Sequence, residues 1–239
     1  MIGLIFFQHS AAAEPISMPN IDLSLGTGSQ PTEVVDSIKL LVFLTVLSLA
    51  PAILVLMTSF TRIIVVLSFV RNALGTQQTP PNQILIGLAL FLTFFIMLPV
   101  YQQVKTQAID PYISNKISQE QAFNKAAQPI KEFMFKQTRE KDLALFVKMA
   151  KVDRPKNKND ITLATLTPAF VISELKTAFQ MGFVIYIPFL VIDMVVASTL
   201  MSMGMFMVPP VMISLPFKIM LFVMVDGWYL VVKSLLESF

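Results

Sequence analysis

Five ionisable residues stand inside long apolar stretches of this sequence. They are Glu174 and Lys176 in "SELKTAF", Asp193 in "VIDMVV", Lys218 in "PFKIM" and Asp226 in "VDGWY". Arg62 and Arg71 bracket a further stretch, "IIVVLSFV". On insertion scales each such charge costs roughly 2.5–3.5 kcal/mol at the centre of an apolar helix. The chemistry open to them is pairing inside a protein assembly, or relay of an ion or proton. Lys176 and Lys233 can snorkel towards helix ends. For Glu174, Asp193 and Lys218 pairing is the expectation, because unpaired burial is so costly. Glu174 and Lys218 are expected to form a buried ion pair, within one subunit or between two. Asp193, Asp226, Arg62 and Arg71 complete the set of expected buried charges.

A second feature is "MSMGMFMVPP", which places Met201, Met203, Met205 and Met207 at alternate positions. Methionine is unbranched and polarisable, and repacks around irregular surfaces more readily than Leu or Ile. Spacing of two cannot put all four on one helical face. A turn or a helix end suits the run better than a packed core.

Other chemistries are missing from the sequence. It has no cysteine and a single histidine, His9, so thiol catalysis and His/Cys metal clusters are excluded. No phosphate-binding loop or nucleophile–base arrangement is present. The chain reads as a non-enzyme without a cofactor or a metal. Residues 102–168 carry twelve bases against seven acids, but few aromatics and no nucleic-acid motif. They read as a solvated helical surface.

The elements that must hold these residues are helices. Of the 239 residues 55% are hydrophobic and only 14% charged, with mean hydropathy +0.69; soluble domains carry about 25% charge. There is no strand signal, and the expected class is all-α, of integral membrane type. Residues 1–13, "MIGLIFFQHSAAA", resemble a secretory signal. Residues 14–36, rich in Pro, Gly, Ser and acids, read as an extracytoplasmic arm. Residues 37–108 form a first apolar helical hairpin, with Gly75 as a helix C-cap and Thr79 as the next N-cap. Residues 109–166 form a small water-exposed helical segment, opened by a capping box at Ser118 and Gln121. Its first helix should be amphipathic through Phe123, Ala126, Ala127, Ile130 and Met134. Residues 167–239 form a second apolar hairpin, with Thr167 as N-cap and the methionine-rich stretch as its turn. Pro51, Pro99, Pro188 and Pro216 fall one in each apolar element and are expected to bend it.

Three long blocks, "PAILVLMTSFTRIIVVLSFVRNALGTQQTPPNQILIGLALFLTFFIMLPV", "TPAFVISELKTAFQMGF" and "PFKIMLFVMVDGWYL", closely resemble the FliP family of flagellar type III export-gate proteins. The resemblance covers roughly residues 38–239, in the family's order. It implies a pore subunit of the flagellar basal body in the bacterial inner membrane. A homo-oligomer, a pentamer in the family, is expected to assemble with FliQ and FliR, inside the basal-body ring and alongside FlhA and FlhB. Unfolded export substrates would pass through it, and nucleic acid is not a partner. The family also implies that a methionine-rich loop from several subunits closes the pore as a gasket. The matching residues are Met205, Phe206 and Met207, flanked by Met203 and Met201; Phe206 departs from an all-Met triplet. The middle segment is expected in the periplasm. The alternative is a secondary transporter in which Glu174, Asp193, Lys218 and Asp226 form a relay.

Overall fold

The computed structural model describes residues 31–76, 78–150, 157 and 160–239, with the main chain alone for residues 31–39, 42, 43 and 46. The signal-like start, most of the arm and most of the loop "DRPKNKND" lie outside the described residues. The chain divides into two units, residues 1–47 and 48–239. The described part of the first is helical.

Described residues form nine α-helices and one π-helical turn, with no strand among them. The class is all-α. Helix α1 (Pro31–Met57) begins inside the stretch read as an arm, and α2 (Phe60–Ala73) follows after a break at Thr58 and Ser59. Helix α3 (Asn82–Val104) continues through a π turn (Lys105–Ile109) into α4 (Asp110–Ile113). Then come α5 (Gln119–Gln137), α6 (Glu140–Met149), α7 (Leu163–Ser202), α8 (Pro210–Met224) and α9 (Gly227–Glu237).

The core of the second unit is built on α2. Ile63, Val66, Leu67, Val70 and Ala73 recur at three- and four-residue spacing and are fully buried, the stripe of a helix enclosed by neighbours. Around it pack Leu85 and Ala89 of α3, Ala178 and Phe189 of α7, Phe222 of α8, and Val231 and Leu235 of α9. Helices α2 and α7 approach most closely at Gly182, where an added Cβ would lie 2.5 Å from the Phe69 ring. A second cluster joins Phe133 and Met134 of α5 to Leu166 and Phe170 of α7. On α5 the buried face is Pro129, Phe133 and Met134, with Ile130 half-buried; Phe123, expected on that face, is 72% exposed.

Local signals hold at some ends and shift at others. The Ser118–Gln121 capping box forms in both directions. Gly75, at φ +76°, follows α2 and donates its N–H to the Asn72 carbonyl. Helix α7, however, starts five residues before the expected cap. Thr162 accepts the Thr165 N–H, while Thr167 is already helical and donates its hydroxyl to the Leu163 carbonyl at 2.8 Å. The extra turn buries Leu166 beside Phe170, at the loss of one backbone bond at Pro168. Pro81, rather than Thr79, precedes α3.

The four prolines do not interrupt their helices. Helix runs through Pro51, Pro99, Pro188 and Pro216. Two sharp changes of direction fall between helices, 64° at Thr58–Ser59 and 63° at Val225–Asp226. Each apolar element expected to be continuous at these points is thus a bent pair. Among the described residues, two helical stretches, Asn82–Ile113 and Leu163–Ser202, are long and apolar enough to cross a membrane, or four if each bent pair counts as one span.

Candidate functional site: buried ion pairs and a methionine turn

Residue 62 opens the first turn of α2, and residue 174 lies on the buried stripe of α7 between Phe170 and Ala178. The packing of the two helices brings them together. Arg62 is 2% exposed and Glu174 fully buried. The guanidinium donates from Nε to Glu174 Oε2 at 2.9 Å and from Nη2 to Glu174 Oε1. Its remaining donors reach Gln137 Oε1 at 2.9 Å, the Ser238 carbonyl at 2.7 Å and Ser238 Oγ at 3.0 Å. All five N–H groups of the fork are used. The Phe239 ring covers the guanidinium face, 3.9 Å away, and Gln137 also donates to the Phe239 main-chain oxygen. One side chain therefore ties together α2, α5, α7 and the segment after α9.

The expected pairing of Glu174 with Lys218 is not formed within the chain. Lys218, 2% exposed, bonds Asp193 Oδ2 at 2.6 Å, and the Ser214 hydroxyl donates to Asp193 Oδ1. The reason is axial distance. Glu174 sits beside Arg62, whereas Lys218 Nζ lies 4.0 Å from where a Cβ on Gly75 would stand. Positions 62 and 75 are separated by about 20 Å along a helical rise of 1.5 Å per residue. Each charge takes the partner at its own level.

The other charges expected to be buried differ among themselves. Asp193 is half-buried, its side chain 24% exposed. Arg71 is half-buried, donates to Asn82 Oδ1, and keeps a buried Nε without a partner. Asp226 is exposed, because it stands at the α8–α9 break instead of on a helix face. The four residues of the transporter relay do not share a cleft. A cleft of about 570 Å³ lies among α3, α5 and the residues after α9, lined by Phe95, Pro99, Phe133 and Phe239. None of the four relay residues lines it.

At the opposite end of α7, the methionine run forms the turn to α8. Gly204, at φ +77°, donates its N–H to the Met201 carbonyl, and Met205 donates to the Leu200 carbonyl, both at 3.0 Å. This pair of bonds is a Schellman cap, which requires a residue in the left-handed region just past the helix. Glycine supplies it. Pro209 and Pro210 then set the start of α8. The side chains of Met201, Met203, Met205, Phe206 and Met207 are 57%, 67%, 42%, 77% and 96% exposed. They fill no core in the single chain.

One polar cluster joins α6 to α7. Asp142 of α6 accepts from Arg139 Nη2 and from Ser173 Oγ, each at 2.6 Å, and the Arg139 N–H donates to Ser173 Oγ. Partial burial pushes the Asp142 carboxyl up, but the Ser173 and Arg139 hydrogen bonds and the nearby Arg139 and Lys176 charges outweigh it. The group is held below its ordinary value of 3.8. A depressed carboxyl contributes stability that is present above its unfolded pKa and lost as pH falls through the folded one. Docking of α6 on α7 should therefore weaken below about pH 4. The Asp142→Asn variant should be weaker at neutral pH, by roughly 1 kcal/mol because Arg139 is partly exposed, and should lack this acid limb. Thermal unfolding in detergent across pH 3–7 measures both.

Sequence reasoning placed Arg62, Glu174 and Lys218 among the buried charges but missed their partners. Gln137, Ser238 and Phe239 carried no local signal. The fork of an arginine inside an apolar stretch did, since five donors demand more than one carboxylate.

The geometry defines an all-helical chain of membrane type with two internal ion pairs among its apolar helices and an apolar turn held outward. The sequence model of the FliP family matches residues 43–235. The chain is 64% identical to the flagellar biosynthetic protein FliP of Bacillus subtilis, over 91% of its own length and 98% of the relative's. Identity to the Pectobacterium carotovorum protein of that name is 53%, over all of this chain and 91% of the relative. For Aquifex aeolicus it is 53%, over 93% and 92%. The chain belongs to the FliP family.

Proposed function

We propose that this chain is a pore-forming subunit of the flagellar type III export gate in the bacterial inner membrane. Several copies meet there with FliQ and FliR, next to FlhA and FlhB and within the basal-body ring. Unfolded flagellar subunits pass along the common axis, and the collar of Met205, Phe206 and Met207 closes it when no chain is in transit. Residues 109–166 lie on the periplasmic side. The positive-inside rule weighs little against this, because it governs loops shorter than about 60 residues, and the whole stretch between the apolar segments, residues 102–166, has 65.

The observation that carries this reading is the apolar face of α7. From Ile172 to Met201 it exposes Ile172, Phe179, Phe183, Val184, Val191, Met194 and Met201, each at least 42%. That face is about 44 Å long at the helical rise, and the hydrocarbon core of a bilayer is only about 30 Å. Even a tilt of about 40° leaves more apolar length than lipid can cover. Other subunits are needed to cover the rest. The internal ion pairs support the same reading, since they neutralise Arg62, Glu174, Asp193 and Lys218 where these helices pack against protein. Purification from native membranes under mild detergent tests it. The chain should elute as a multimer with small membrane partners; a monomer without partners would reject the reading.

A further inference from the structure

Among the described acids of residues 167–239, Asp226 is the one without an ion pair in the chain. Arg62 has Glu174 and Lys218 has Asp193. Lys233 stands 3.9 Å from Glu237. Asp226 accepts no hydrogen bond on its side chain and forms no ion pair. It does not even cap α9, although it occupies the N-cap position. Its backbone is left-handed, at φ 51° and ψ 54°, which costs a non-glycine residue of order 1–3 kcal/mol and persists where something compensates. The next residue explains the sharpness of the break but not the acid. A Cβ on Gly227 would lie 2.3 Å from the Phe222 ring, so glycine is needed there to let α9 turn against α8.

The surface around this carboxylate is apolar. Val223, Met224, Tyr229 and Leu230 are 70%, 77%, 60% and 48% exposed. Along α8–α9 the position falls between Lys218, tied to α7, and Ser238, tied to Arg62. It is thus within the bent apolar pair rather than at its end. Lipid cannot accept an unpaired carboxylate cheaply, and the surrounding side chains are too apolar to face water.

We propose that the α8–α9 elbow is a docking surface for an apolar helix of another subunit that carries one lysine or arginine, with Asp226 as the carboxylate that receives it. Charge complementarity selects this occupant. The patch offers one unspent negative charge in an apolar field, so a wholly apolar helix would bury it unpaired, at a cost comparable to losing half of an ion pair. The inference rests on the reading of the chain as a subunit of a membrane assembly.

The test exploits the backbone. Asparagine and glycine both tolerate the left-handed region, so Asp226→Asn and Asp226→Gly remove the carboxylate without straining the elbow. Each variant replaces the native chain in cells, and the complex is recovered from membranes and quantified by native electrophoresis. Both should lower recovery on the order of tenfold or more, while Asp226→Glu retains most of it. Suppressors of Asp226→Lys should change a lysine or arginine in an apolar helix to Asp or Glu. Normal recovery of both Asp226→Asn and Asp226→Gly would overturn the proposal. So would rapid labelling of Asp226→Cys by a membrane-impermeant maleimide in the assembled complex, which would show a water-facing group. If the native chain itself is recovered as a monomer, the assembly reading has failed; if it assembles and the variants match it, only the docking proposal has.

Discussion

Replacing Arg62 by alanine should leave little folded chain in the membrane. The substitution strands Glu174, which is fully buried, and removes the donors that hold Gln137 and Ser238. Loss of one partner from a buried pair costs about 3–5 kcal/mol, a large share of the 5–15 kcal/mol that stabilises a typical domain. Arg62→Lys should rescue little. An ammonium carries a charge but not the planar fork that serves three acceptor residues at once and stacks on Phe239. Glu174→Gln should be milder than Glu174→Ala, since the amide oxygen still accepts from the fork. The pattern is checked by the amount of chain in the membrane fraction and by its resistance to added protease. An Arg62→Ala chain as abundant and as protected as the native one would show that the network is dispensable.

The second large effect is expected at the turn. Replacing Met205, Phe206 and Met207 together by alanine should leave assembly intact, because these side chains pack against nothing inside the chain. Under the proposed function it should also open a hole on the axis. Expression should collapse the proton gradient and slow growth, with ion flux well above that of the native complex in planar bilayers. Replacement of the three by isoleucine separates softness from size. Branched side chains lose χ1 freedom, so the seal should hold while export slows. An alanine variant that assembles yet conducts no more than the native complex would place closure elsewhere.

Much of the fold was legible in the residues, and the limits have physical causes. The capping box at Ser118 and the glycine after α2 are local signals, read from a few neighbouring positions, and they stand where expected. The start of α7 precedes Thr167 by a turn that buries Leu166 beside Phe170, a contact set by α3 and α5. Proline did not mark the breaks between helices. Each of the four is held in a continuous helix, while the sharp bends occur at Thr58–Ser59 and Val225–Asp226. Hydroxyls at the first site compete for main-chain carbonyls, Thr58 reaching Leu54 and Thr61 reaching Val55. Charge type was legible and charge partners were not, because pairing depends on the level of each residue along two packed helices. Glu174 and Lys218 are both buried, as their cost demanded, but some 20 Å of helix separates their levels.

Under the proposed function, the cap that ends α7 has a consequence for the clock of the closure. Gly204 and Met205 are fastened to the Met201 and Leu200 carbonyls, and two prolines stiffen the exit into α8. The main chain on both sides of Met205–Met207 is thus fixed, and what is left free is rotation about side-chain bonds. Rotamer exchange in exposed residues takes picoseconds to nanoseconds, whereas loop and hinge rearrangements take up to milliseconds. A collar built on such a turn reshapes itself faster than any polypeptide can advance past it by one residue. Under the proposed function it would stay in contact with every side chain in transit and shut behind the last one without waiting for a conformational step.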